Sequence, residues 1–286
     1  MDALKNLLEN EIDFAGPLFW GSLIVVALWE VIAPLRAHAY SLIVRWMNNI
    51  GLAALNLFLM RFAVGLLTFN LALLAEARGW GLLQIIQPLP WIAFVLGVLW
   101  LDIFSYIIHV ILHRVPILWR LHRLHHSDLD LDFTSARRNH PIEVLLVQLL
   151  TAFAVLAMGV PPLSLLLWWM VMSVLPLFQH GNIGLPAGLD HLLRWVIVTP
   201  GMHWVHHSAI RAESDRNYGQ FLPWWDRLFG TYLDQPEGGH EGMTIGLKDF
   251  RDPKHLKLHW MLANPFIGPD SEPTTQIPDR LAPSGE

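Results

Sequence analysis

Cysteine is absent from the 286-residue chain and charge is scarce, with Asp, Glu, Lys and Arg making up 15% of it against 53% hydrophobic residues. Without cysteine there is no disulfide, no iron–sulfur ligation, no Cys₄ zinc site and no thiolate nucleophile. Any metal must therefore be held by histidine and carboxylate. A soluble domain ordinarily carries about 25% charged residues. The shortfall, together with 14 Trp, points to lipid as the solvent for much of the chain. A formal net charge of −5 is too small and too dispersed to suggest a nucleic-acid partner. A basic start is also missing: "MDALKNLLENEIDFAG" is acidic where a signal peptide is positive, so the apolar run after it reads as a retained membrane anchor. No strand-period alternation is strong enough to suggest a sheet.

What the chain does have is long apolar runs. Spanning the hydrocarbon core takes roughly 20 apolar residues in a helix. Residues 17–35 qualify, with Glu30 near one end. Residues 50–75 qualify as well, with Arg61 unexpected at mid-depth, and residues 90–113 form a third run that ends in histidines. Residues 142–180 hold two shorter runs broken at "GVPP", the tip of a helical hairpin that either spans or re-enters. The expected fold is thus an all-α, multi-pass membrane helical bundle of about four spans, or three plus a re-entrant hairpin. A histidine-rich helical cap would crown it. Arg36 and Arg45 follow the first run, and Arg114, Arg120, Arg123, Arg137 and Arg138 follow the third. Two crossings separate these loops, and the positive-inside rule makes their shared side cytoplasmic. The division expected is an N-terminal transmembrane region at 1–89, a catalytic region at 90–263, and a disordered Pro- and Ser-rich tail at 264–286.

The histidines are the second abundance, 15 in all. "LHRLHH" supplies His122, His125 and His126, and "MHWVHH" supplies His203, His206 and His207. Positions i, i+3 and i+4 share one face of a helix, so each HxxHH projects its imidazoles together. His109 and His113 stand i, i+4 at the end of the third run, with Asp102 and Tyr106 extending that stripe back into the membrane. His140 ("RRNHP") and His180 ("FQHGN") each sit at the mouth of an apolar run. A single interfacial histidine is ordinarily just an amphipathic residue. Random placement, however, yields about 0.04 copies of HxxHH in such a chain, and two are present. Nine or ten imidazoles exceed the three or four ligands of one zinc ion and suit two metals.

The stretch "DIFSYIIHVILHRVPILWRLHRLHHS" resembles the first two histidine boxes of the fatty acid hydroxylase / sterol desaturase superfamily. "RRNHPIE", "QHGN", "TPGMHWVHHS" and "NYGQFLPWWDRLFGTY" resemble its later elements, so the likeness covers residues 98–234. Only His180 stands where some members carry a second HxxxH. The resemblance implies a membrane di-iron centre that activates O₂ to hydroxylate or desaturate a lipid such as a sterol or fatty acyl chain. That lipid would enter laterally from the bilayer. No HPGG segment of cytochrome b5 type is seen, so the electrons imply a separate ferredoxin- or cytochrome b5-like donor with its reductase.

The expected metal ligands are His109, His113, His122, His125, His126, His180, His203, His206 and His207, with His140 open between ligand and structural turn residue. Asp102 and Asn182 are candidate acceptors fixing an imidazole tautomer, Asp102 being equally readable as a helix–helix hydrogen bond. Asp190 is a weaker candidate. "SDRNYG", with Asp215 and Asn217, is expected either to close over the metal site or to form a capped turn. "WWDRLFG", with Asp226 and Arg227, reads as an amphipathic turn at the interface. Two other classes remain. A metal transporter or sensor would want ligands along a path through the spans, whereas these gather at one end. A membrane zinc hydrolase would want a general-base Glu as in HExxH, and no HExxH occurs.

Overall fold

The protein was analysed as a computed structural model, which describes residues 2–63 and 67–268. Those residues are helical, with no β-strands beyond two isolated bridges, Pro34 to Ile183 and Ser208 to Ile245. The succession begins with α1 (Asp2–Ile32), α2 (Leu42–Ala63), α3 (Leu67–Arg78), α4 (Leu82–Ile86), α5 (Pro90–Arg114) and α6 (Pro116–His126). After a 3₁₀ turn at Phe133–Arg137 come α7 (Pro141–Met158), α8 (Pro162–His180), α9 (Ala187–Leu193) and α10 (Pro200–His206). Two short helices follow, α11 (Arg211–Ser214) and α12 (Trp224–Leu228). Proline opens α5, α6, α7, α8 and α10. Its missing N–H costs nothing at that position and its fixed φ suits the first turn.

Four of the described helices are long and apolar enough to cross a membrane: Leu42–Arg61, Pro90–Arg114, Pro141–Met158 and Pro162–His180. Both legs of the hairpin qualify, the shorter being 18 residues, or about 27 Å of helix. The first apolar run is a shorter helical stretch, Pro17–Ile32. The run expected at 50–75 falls across α2 and α3. Arg61 is exposed and is the last residue of the apolar span Leu42–Arg61, at its end and not its middle.

At the end of the bundle away from the histidines, Gly159 caps α7 with a left-handed φ of 67° and faces Gly81, whose φ is 97°. A Cβ on Gly81 would lie 2.1 Å from the Gly159 nitrogen. Only glycine permits both the backbone conformation and this approach. Between these ends, Phe69, Ala72, Leu101, Val155, Val160, Leu165 and Trp168 form one apolar cluster tying α3, α5, α7 and α8 together. A second cluster joins Val26 of α1 to Phe133, Ala136, Leu177 and Ile183. Glu30 adds a polar tie, accepting from the backbone N–H of Phe133 and of Asn182, each at 2.8 Å.

The chain stays folded past residue 263. Asn264–Phe266 form a 3₁₀ turn, with Asn264 and Pro265 buried. Arg120 donates to the Pro265 carbonyl at 2.9 Å, and Arg123 donates to the carbonyls of Asn264 and Ile267. Residues 264–268, expected as the start of a disordered tail, are thus packed against the helices, and the rest of that expected tail, 269–286, lies outside the described residues.

Candidate metal centre

Nine histidines from four helix ends meet at one end of the bundle, in two buried groups. His109, His113, His122, His126 and His206 form the first; His125, His180, His203 and His207 form the second. Within each group the ligand nitrogens all lie within 4.8 Å of one another. Each HxxHH box is split between the groups. His122 and His126, one turn apart, go to the first group, while His125, about 100° round the axis from His126, goes to the second. The later box divides the opposite way, with His206 in the first group and His203 and His207 in the second. His109 and His113 from the end of α5 complete the first, and His180 from the end of α8 completes the second.

Hydrogen bonds on the outer nitrogens fix which lone pairs point inward. The Nδ1–H of His109 donates to the Tyr218 carbonyl at 2.8 Å, and that of His206 to the Arg216 carbonyl at 2.8 Å. His180 donates to the Pro176 carbonyl at 2.8 Å. His122 faces Glu143 Oε1 at 2.7 Å and His113 faces Asp215 Oδ1 at 3.1 Å. Carbonyl and carboxylate oxygens only accept, so these five neutral rings carry their proton on Nδ1 and present an Nε2 lone pair. Yet Nε2 of His109 lies 3.1 Å from Nε2 of His122, and His180 Nε2 lies 3.1 Å from His125 Nε2. The pairs His113–His126 and His203–His180 stand at 3.1 Å, and His207–His203 at 3.2 Å. In the His109–His122 pair both protons sit on the outer nitrogens, and lone pairs facing at such a distance repel unless a cation lies between them. Two nitrogens bound about 2.1 Å from one ion at roughly right angles would be about 3 Å apart, so the donor set fits a metal in each group. Burial suits it too, holding the imidazoles of His125, His126, His203 and His207 well below their ordinary value and taking His206 down to about 3. The neutral ring is the form that ligates metal.

Two supports hold these helix ends in place. The first is a buried polar network behind α6. Arg45 of α2 grips Asp128 at 2.9 and 3.1 Å and lies 2.7 Å from Asp132. Arg138 donates to the Leu124 carbonyl and to Asn49, fastening the last turn of α6 from the other side. Burial alone would raise the Asp128 carboxyl, but the guanidiniums of Arg45 and Arg138 hold it well below the usual carboxylate range. The second support is the segment 215–222, which straps across the first histidine group. Asn217 adopts a left-handed φ of 52°, which asparagine tolerates better than most residues, and the carbonyls on either side of it meet His206 and His109. Asn217 is itself tied to the Met202 and Leu233 carbonyls. Asp226 accepts from the backbone N–H of Tyr218 and Gly219 at 2.8 Å each. A Cβ on Gly219 would come within 2.8 Å of that carboxylate.

Several expected roles change. His140 joins neither group; its Nδ1 caps α7 by accepting from Ile142 N–H, and its Nε2 meets the Leu262 carbonyl. Asp102 contacts no imidazole; it accepts from Leu222 N–H at 3.2 Å and Trp225 Nε1 at 2.8 Å, anchoring the far end of the strap. Asn182 bonds the backbone of Arg36 and the ring of His38, tying the loop after α1 to the end of α8. Asp190 pairs with Arg194 at 2.6 Å, away from the rings. "SDRNYG" does close over the centre, and Asp226, expected in an interfacial turn, is its buried anchor. Glu143 was missed, although it stands in the "RRNHPIE" stretch; its partner His122 is 21 residues distant, beyond any local spacing rule.

Comparison with known proteins agrees with this geometry. Residues 94–231 match the family model described as Fatty acid hydroxylase, a span that holds all nine rings, Glu143 and the strap. An ornithine lipid hydroxylase of Rhizobium tropici is 34% identical over 143 residues, 50% of this chain and 42% of the relative. A human alkylglycerol monooxygenase is 27% identical over 179 residues, 62% of this chain and 38% of the relative. A sphinganine C4-monooxygenase of Arabidopsis thaliana is 27% identical over 167 residues, 56% of this chain and 62% of the relative. The chain thus spans less than two thirds of the length of these relatives. No solved structure matches it.

Proposed function

With residues 94–231 belonging to the fatty acid hydroxylase family, we propose that the protein is a membrane-bound oxygenase that hydroxylates a C–H position of a lipid at a di-iron centre. The observation that carries this reading is the convergence of nine imidazoles in two buried groups, with His109 and His122, whose outer nitrogens both face acceptors, turning their Nε2 lone pairs on each other at 3.1 Å. His109, His113, His122, His126 and His206 would hold one iron, and His125, His180, His203 and His207 the other. Bound iron would supply the O₂-derived oxidant that an unactivated C–H bond requires and that no side chain provides. Overall, lipid C–H, O₂, two electrons and two protons give lipid C–OH and water. The electrons would come from a separate ferredoxin- or cytochrome b5-like donor with its reductase. Hydroxylation is favoured over desaturation because the relatives named above are called hydroxylases and monooxygenases.

The chain's own contribution is positioning and exclusion. Glu143, Asp215 and the carbonyls of Tyr218, Arg216 and Pro176 hold five rings in one tautomer. The strap at 215–222 excludes water on one side. Below the rings the bundle interior is apolar, which suits a lipid chain reaching them from within the bilayer. The arginines beside the histidine end, Arg36, Arg114, Arg120 and Arg123 among them, support a cytoplasmic placement of the centre. The test is expression of the full chain in a host with such a donor, followed by lipid mass spectrometry under ¹⁸O₂. One labelled oxygen per product is expected, and its loss in both His125→Ala and His206→Ala. Unlabelled product, or product persisting in either variant, refutes the reading.

A further inference from the structure

The nine rings are sealed from water, so electrons must reach them through protein. Tyr218 packs its ring 5.0 Å from that of His113 but is fully buried. Trp119, the residue before Arg120 in "LWRLHRLHH", is only half-buried. Its ring lies 4.9 Å from His113, 5.4 Å from His126 and 6.3 Å from His122, three members of the first histidine group. On its other side the Arg211 guanidinium sits 4.2 Å from the ring, and that side chain is 47% exposed. Arg114 and Arg120, on either side of Trp119 in the chain, are exposed. Arg114 and Arg211 both stand within electrostatic reach of the Tyr218 hydroxyl. Little opposes this charge. Asp215 is shared between Arg211 at 2.9 Å and His113 at 3.1 Å. Glu213 is buried and already bonded to Ser208 and to the Glu237 backbone.

We propose that the surface around Trp119, with Arg211 against the indole and Arg114 and Arg120 beside it in the chain, is the docking face for an acidic one-electron donor protein, and that Trp119 is the entry point for its electrons into the first histidine group. This rests on the function proposed above and adds the place of docking and the route. The cationic face is complementary to an acidic partner and would steer it. The partly exposed indole packs against three ligand imidazoles and so joins the surface to the first group through one aromatic ring. Each transfer oxidises the donor's cofactor by one electron and reduces the centre by one. Two transfers supply the two electrons of one hydroxylation, the protons coming from water.

The experiment uses the iron-loaded full chain in zwitterionic phosphatidylcholine nanodiscs, with a reduced, acidic plant-type [2Fe–2S] ferredoxin as the probe and dithionite as a small-molecule reductant. Ferredoxin oxidation is followed anaerobically by stopped-flow absorbance at several ionic strengths. The double variant Arg114→Gln, Arg120→Gln is expected to weaken ferredoxin binding and slow its oxidation about tenfold at low salt, with the salt dependence flattened. Its iron content and its reduction by dithionite should match the unaltered protein. Trp119→Leu is expected to slow transfer at saturating ferredoxin without changing the apparent Kd, with Trp119→Phe in between. If Trp119→Leu loses iron, the arginine variant carries the test, because its side chains are exposed. Unchanged ferredoxin binding and rate in the double variant overturns the proposal. So does a double variant that loses only its binding to phosphatidylglycerol vesicles, which would mark the face as a lipid-headgroup surface. Failure to form product with dithionite, O₂ and lipid in the unaltered protein would count against the proposed function, not against the docking face.

Discussion

Glu143→Gln isolates the charge behind one ligand. The carboxylate lies 2.7 Å from His122 Nδ1, with the two side chains only 4% and 5% exposed. Its other oxygen has no hydrogen-bond partner among the described residues. In the variant the amide oxygen can still accept from Nδ1–H, so the ring keeps its orientation and tautomer while the negative charge is lost. Changes to such a supporting partner typically cost 10–100-fold in metal affinity. Keeping the acceptor puts Gln at the lower end, about tenfold or about 1.4 kcal/mol. Glu143→Ala removes acceptor and charge together and should approach 100-fold, about 2.7 kcal/mol. Asp215→Asn should cost less than Glu143→Gln, because Asp215 is 22% exposed and shared with Arg211. Among the described residues the second histidine group has no carboxylate on its outer nitrogens, His180 meeting a backbone carbonyl. The loss should therefore fall on one metal of the two. Chelator competition with metal counting per chain reads this directly as one weakened site beside one unchanged. Equal weakening of both metals, or none in Glu143→Ala, refutes the reasoning.

His180→Ala should lose one metal per chain, whereas His140→Ala should keep both and lower stability by about 1 kcal/mol through loss of the α7 cap; elemental analysis and thermal unfolding in detergent separate the two. Asp128→Asn leaves the buried Arg45 with Asp132 as its remaining carboxylate partner and should destabilise by about 3 kcal/mol, the low end for breaking a buried pair, read as a lowered Tm. Because Asp128 is held below its ordinary value when folded, its contribution is present above the unfolded carboxylate value of about 3.9 and is lost as pH falls through the folded one. The metal-free protein should also lose stability as pH drops from about 6.5 toward about 3, the value burial gives His206, since the unfolded chain takes up protons the buried rings refuse. A flat Tm across that range would contradict the burial of neutral imidazoles.

The ligand types and most of their positions were legible because a helix converts spacing into a shared face, so HxxxH and HxxHH announce grouped imidazoles without any knowledge of the tertiary fold. How the boxes divide between two groups was not legible. Whether His125 sides with His126 or with His180 depends on where α8 ends relative to α6, and no local pattern carries that. His140 shows the limit from the other side. A histidine before a helix-opening proline stands at the cap position, as Thr199 does before Pro200, and backbone N–H groups claim its nitrogen. The hairpin tip at "GVPP" was readable from its turn residues, but its packing against Gly81 was not, since that contact pairs two distant glycines.

Asp102 shows why supporting residues resist the same treatment. Seven residues before His109, it lies on nearly the same face but about 10.5 Å lower along the helix, out of hydrogen-bond reach of that ring. Its carboxyl oxygen accepts instead from Leu222 and Trp225. Together with Asn217 and Asp226 it fixes the strap whose carbonyls set His109 and His206. The three polar residues act on the metal ligands through the backbone, one step removed, so their importance shows in no spacing to a histidine. By this reasoning Asp102→Ala frees one donor at the end of the strap and one in the helix after it, without touching a ring. It should loosen the His109 and His206 tautomers while the second group, which takes no acceptor from the strap, stays set. Loss of metal from the second group first would mean that the strap is not what holds the first.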